Sequence, residues 1–119
     1  MPNKTNQSEN DNDRGDLLRG ALEMLILRTI ERGPMHGYAI TESILNASEE
    51  VLDIDEGSMY PALYRMQKRG WIEAEWGRSD NNRRAKFYSL TDEGRTRLER
   101  ASERWGRFSR AVESVMEPV

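Results

Sequence analysis

Arg78, Arg83, Arg84 and Lys86, interleaved with Asn81 and Asn82, form the densest basic cluster in this 119-residue chain. Guanidinium and ammonium groups gathered in a polar turn suit phosphate or minor-groove contact, although many charged loops are merely solvated. A second constellation lies upstream, where Tyr60 and Tyr64 stand one helical turn apart beside Arg65 and Lys68, with Ser58 ahead of them. A phenol can bond a phosphate and stack on a sugar or base. A serine at a helix N-terminus can bond a phosphate with help from the dipole. The net charge of -3 argues mildly against a polyanionic partner until it is divided by segment. Thr41 to Glu56 carries Glu42, Glu49, Glu50, Asp53, Asp55 and Glu56 with no Lys or Arg, a local charge of -6. Ala62 to Leu90 carries seven basic side chains against three acidic ones, a local charge of +4. The acidic total therefore conceals a basic footprint.

Other chemistries find little support. With no Cys there is no disulfide framework, thiolate metal site or cysteine nucleophile, and a cytoplasmic location is expected. His36 is the only imidazole and has no second ligand type at metal-site spacing. Asp53-x-Asp55-x-Gly57 resembles the start of a calcium loop, but its glycine comes too early and Tyr64 stands where the closing Glu belongs. Neither a Gly-rich phosphate loop nor a G-x-S-x-G elbow occurs, so no enzymatic activity, cofactor or metal is expected. The apolar run Ala21 to Ile30 is interrupted by Glu23 and Arg28 and falls far short of the roughly 20 residues of a membrane span. Met1 to Asp16 has no apolar core for a signal peptide, so the N-x-S/T triplets at Asn3, Asn6 and Asn46 are chance matches.

The elements that must position these groups follow from periodicity. Residues 1–15 hold almost nothing apolar and read as a disordered polar tail. From Leu17 to Arg32 the apolar positions Leu18, Leu22, Leu25, Ile26 and Ile30 repeat with helical spacing, with Asp16 as N-cap and Gly33-Pro34 as stop. His36-Gly37 opens a second helix to about Ala47, with Tyr38, Ile40, Ile44 and Leu45 as inward candidates. A third helix starts near Ser58 as N-cap, takes Pro61 in its first turn, packs Met59, Leu63 and Met66, and stops at Gly70. Beyond Gly70 the period changes to two. Ile72, Ala74 and Trp76 face one side, Ala85 to Leu90 is β-compatible, and Gly77 to Arg84 between them makes the tip of a hairpin. Thr91 caps a final helix whose first turn carries Asp92 and Glu93.

In that last helix Leu98, Ala101, Trp105, Phe108, Val112 and Val115 step by three and four in alternation, a short heptad seam that one small domain struggles to cover. A homodimer is the consequence. Arg97, Arg100, Arg104 and Arg107 run alongside, with Glu93 to Arg97 and Glu103 to Arg107 at supportive spacing.

The expected fold is mainly α with a small β-hairpin: a winged helix-turn-helix over residues 16–90 and a dimerisation helix over 91–119. In this element order the third helix enters the major groove of double-stranded DNA and the hairpin contacts the flanking backbone. A symmetric dimer would then face a roughly palindromic operator. The competing class is a winged-helix protein-interaction or ligand-sensing module that does not bind DNA, favoured by the overall acidity and the -6 connector.

The chain from about Leu18 to Leu98 resembles the PadR family of bacterial transcriptional regulators. The resemblance rests on L-x-x-L-I-L at Leu22 to Leu27, G-P-M-H-G-Y at Gly33 to Tyr38, E-G-S-M-Y-P-A-L at Glu56 to Leu63, G-W-I-E-A-E-W at Gly70 to Trp76, N-N-R-R-A-K-F-Y at Asn81 to Tyr88 and L-T-D-E-G at Leu90 to Gly94. It implies a winged-helix domain, a homodimer through the C-terminal helix and usually repression at a promoter. It also implies DNA contacts at Ser58, Tyr60, Tyr64 and Arg65 and at Arg83, Arg84 and Lys86; Lys68 joins them from charge and spacing. Some small members bind planar aromatic molecules between tryptophans at the dimer interface, and Trp105 occupies the matching place. Its seam position already accounts for it as an interface anchor, which is the preferred reading.

Overall fold

The computed structural model describes residues 19–118; the expected tail at 1–15 and the Asp16 cap lie outside them. The described part of the first helix, α1, covers residues 19–30 and turns Ile26, Leu27 and Ile30 into the core, with Leu22, Met24 and Leu25 packed at its edge. A two-residue strand β1 (Met35–His36) follows, then α2 (Gly37–Ala47), α3 (Glu56–Lys68), β2 (Ile72–Arg78), β3 (Arg84–Leu90) and α4 (Asp92–Met116). The strands form one antiparallel sheet in the order β1-β3-β2.

β1 was not anticipated. It pairs Met35 with Tyr88 and His36 with Phe87, which ties the start of α2 to the hairpin. His36 then caps α2, its Nδ1 accepting from the Ala39 N–H at 3.2 Å while the ring meets Phe87 edge-on at 5.3 Å. The lone histidine thus has a structural task. Ile40 and Ile44 face inward as expected and Leu45 is half-buried. Tyr38, expected inward, is 66% exposed. It lies two residues, about 200°, from Ile40 on the helix and so points the opposite way.

The start of α3 also differs from expectation. Asp55, not Ser58, is the N-cap: its Oδ1 accepts from the Ser58 N–H at 2.8 Å. The helix therefore begins earlier, and Pro61 falls in its second turn. Met59, Ala62, Leu63 and Met66 are fully buried. The C-terminus stops at Gly70 as expected, through paired bonds from Trp71 N to Met66 O and from Gly70 N to Gln67 O, with Gly70 in the left-handed region at φ 77°.

The hairpin register runs from Ile72 opposite Leu90 to Arg78 opposite Arg84, so Gly77, Arg78 and Arg84 belong to strands and the tip is only residues 79–83. Thr91 ties three segments together. Its Oγ1 accepts from Gly94 N at 3.0 Å and donates to Gly70 O at 2.6 Å. Gly94 packs so closely beneath the sheet that a Cβ there would sit 1.9 Å from the Trp71 carbonyl oxygen. Leu98 enters the core; beyond it no residue of α4 is fully buried.

Candidate nucleic-acid interface

The residues of α3 divide between two directions. Tyr60, Tyr64 and Lys68 share the exposed face, and Lys68 Nζ lies 5.6 Å from the centre of the Tyr64 ring. The Tyr60 ring rests on the backbone of Gly37, where a Cβ would come within 2.7 Å of it, so the glycine of the His-Gly-Tyr run makes room for this tyrosine. Ser58 is exposed, but its N–H is already taken by Asp55. Arg65 points elsewhere. Its Nε lies 3.6 Å from Oε2 of Glu23 on α1, is buried, and lacks a hydrogen-bond partner.

On the hairpin, Trp76 stands opposite Lys86 and diagonal to Arg84 on the same face of the sheet. The Arg84 guanidinium lies 4.4 Å and the Lys86 Nζ 5.6 Å from the centre of its ring. Cation–π contact on a shared indole restrains two long side chains that would otherwise sample many rotamers. Alternation places Trp76 with Ile72 and Ala74, yet it is exposed because the sheet extends past the core at that point. Arg83 is exposed at the tip, and Arg78 Nη1 donates to Asn82 O at 3.3 Å.

Between these two faces runs an open groove of about 990 Å³, walled by Tyr60 on one side and by Trp76, Arg83, Arg84 and Lys86 on the other. Tyr88 lines it from β3. Burial pushes the Tyr88 hydroxyl pKa above its ordinary value, and neighbouring Tyr60 adds to the shift, so the phenol remains a neutral donor. The arrangement offers cations, phenols and a cleft open to a long polyanion. Trp76, Tyr88 and Gly37 were missed as candidate site residues. For Trp76 the signal was its nearness in sequence to Arg84 and Lys86; charge and spacing gave none for Gly37 or Tyr88.

The proposed interface residues of α4 are placed unequally. Leu98 is buried within its own chain and Ala101 is half-buried. Trp105, Phe108, Val112 and Val115 are exposed, with the Trp105 and Phe108 ring centres 5.9 Å apart. With Met24, Leu27 and Ala101 these two rings line an apolar groove of about 270 Å³ against α1, and Glu23 is its acidic member. Of the expected ion pairs, Arg107 meets Glu103 at 3.5 Å, whereas the Arg97 guanidinium sits 4.6 Å from the centre of the Trp71 ring. Among the described residues no group of three or more His, Asp or Glu side chains could hold a metal, and no helix is long and apolar enough to cross a membrane.

Comparison with known proteins agrees with this architecture. The chain is 30% identical over 104 residues to an uncharacterised protein X of Lysinibacillus sphaericus, covering 87% of this chain and 95% of that one. Among solved structures, a transcriptional regulator from Clostridium thermocellum superposes with a TM-score of 0.76 at 26% identity, over 86% of this chain and 99% of the other. A PadR-like transcriptional regulator from Bacillus cereus superposes with a TM-score of 0.73 at 32% identity, over 87% and 99%. The model of the transcriptional regulator PadR-like family matches residues 26–100, from within α1 to the first turns of α4, and the chain belongs to that family.

Proposed function

We propose that the protein is a homodimeric repressor that binds a roughly palindromic operator. The observation that carries this reading is the alignment of Arg84 and Lys86 on Trp76, across a groove from Tyr60. Two cations held at that spacing beside an exposed helix face suit the phosphates flanking a major groove occupied by α3. Tyr60, Tyr64 and Lys68 would then face the groove, Arg83, Arg84 and Lys86 the flanking backbone, and Ser58 the phosphate nearest the start of α3. Arg65 would join them after leaving Glu23. The acidic connector, with Asp55 and Glu56 at the leading end of α3, lowers affinity for arbitrary DNA and orients the dimer.

The exposed Trp105, Phe108, Val112 and Val115 support dimerisation through α4. Trp105 serves as an anchor of that interface; release by a planar aromatic ligand is the alternative use of the same residue and is read by quenching of its fluorescence. The division into a winged-helix part at 16–90 and a dimerisation helix at 91–119, and a cytoplasmic location, belong to the same proposal.

The test is retardation of the DNA upstream of the protein's own gene, measured as a function of salt. Replacing Arg83 and Arg84 with Ala weakens binding and lowers the slope of log K against log salt by about 0.9 for each phosphate no longer neutralised. An unchanged slope removes the hairpin from the interface. Absence of any specific complex favours the reading of the protein as a module that does not bind DNA.

A further inference from the structure

Tyr88 presents a polar group that packing alone does not explain. Its residue is 6% exposed and its ring belongs to the core cluster, paired across the sheet with Met35. A phenylalanine would fill that space equally well. Yet the side chain ends in a hydroxyl that lines the groove, and among the described residues no hydrogen bond reaches it. Arg65 Nε is the one polar side-chain atom sealed from solvent without a partner among the described residues, so the Tyr88 hydroxyl is the part of a buried residue that opens to the groove, where water or a ligand group completes it. The same groove is lined by Tyr60, whose ring rests on Gly37, and by the two cations laid on Trp76. Cations beside neutral hydroxyl donors match the oxygens of a phosphodiester.

We propose that this groove seats one backbone phosphate of bound duplex DNA, with the Tyr88 hydroxyl donating to a non-bridging oxygen and Arg84 and Lys86 flanking the same group. The proposal rests on the DNA-binding reading above and adds to it a site at the base of the hairpin rather than its tip. In the free protein, water serves the hydroxyl. On binding, the phosphate replaces it, and Gly37 and Trp76 act as positioning residues: one gives Tyr60 its place, the other holds the cations in theirs.

The experiment compares the wild-type protein with Tyr88→Phe on short duplexes from the DNA upstream of its own gene. A further series carries a single methylphosphonate walked along each strand. Tyr88→Phe is expected to bind intact DNA about tenfold more weakly, the worth of one hydrogen bond to a charged acceptor. It should do so with an unchanged salt slope, since a neutral donor releases no counterion. The thermal midpoint of the free protein should be unchanged or higher, because the hydroxyl has no protein partner to lose. On one member of the methylphosphonate series wild type and variant should bind alike, the oxygen in question being absent. The proposal is overturned if Tyr88→Phe binds intact DNA like wild type, if its deficit persists on every modified duplex, or if the variant is less stable when free. If wild type retards none of these duplexes at low salt, the DNA-binding reading itself falls, and the site with it.

Discussion

Arg65 Nε lies 3.6 Å from Glu23 Oε2, and the third helix is joined to the first by a charge pair whose Glu23 side chain is 8% exposed and whose Arg65 side chain is 29% exposed. Removing one member strands the other. Arg65→Ala should therefore destabilise the fold by about 1–3 kcal/mol, with the orphaned Glu23 as the cause. Combining it with Glu23→Leu should recover most of that loss in urea denaturation. No recovery in the double variant would show that Arg65 matters to stability through its packing alone.

Gly94 tests the close approach of α4 to the sheet. A Cβ there would meet the Trp71 carbonyl at 1.9 Å, and the obstacle is backbone, which cannot rotate aside. Gly94→Ala should cost about 3 kcal/mol in denaturant unfolding. Helical Gly20, with nothing within 4 Å of its virtual Cβ, provides the contrast: Gly20→Ala should gain roughly 0.5–1 kcal/mol. Equal effects at the two positions would contradict the close approach.

The α4 stripe should separate into two behaviours. Leu98→Ala opens a cavity in the chain's own core and should cost about 3 kcal/mol whatever the oligomeric state. Trp105→Ala combined with Phe108→Ala removes surface that the single chain leaves exposed. Wild type should sediment as a dimer and that variant as a folded monomer. A persistent dimer would place the interface elsewhere.

Tyr88 gives a prediction in pH. Burial, with Tyr60 beside it, raises its pKa in the folded chain above the ordinary value of about 10. Between those two values the unfolded chain has lost the proton and the folded chain has kept it. Stability should therefore fall as pH rises from about 10 through the raised value, and this contribution is constant below about 10. The urea midpoint of wild type should drop more steeply over that alkaline window than that of Tyr88→Phe. Parallel curves would show that folding leaves the ionisation of this hydroxyl unperturbed.

What could be read from the sequence was what has a local cause. The switch from helical to alternating period at Gly70, the left-handed glycine itself and the Thr91 cap each depend on a few adjacent residues, and each is found in the fold. The features that escaped depend on distant partners. Met35–His36 has no period of its own and becomes a strand only because Tyr88 and Phe87 lie beside it. Asp55 and Ser58 are both good caps by type, and the choice between them is made where the Met59 stripe must meet the core. Trp76 obeys the alternation but extends past the core. Charge counting placed Arg65 with the other basic residues, yet it was blind to a carboxylate waiting on another helix.

The Thr91 hydroxyl fastens the start of α4 to the residue that ends α3. Over its 25 residues α4 rises about 37 Å, and its buried residues, Gly94 and Leu98, lie near that root. The result is a lever with its fulcrum under the third helix. A tilt of about 5° at the root displaces the far end by roughly 3 Å over that length.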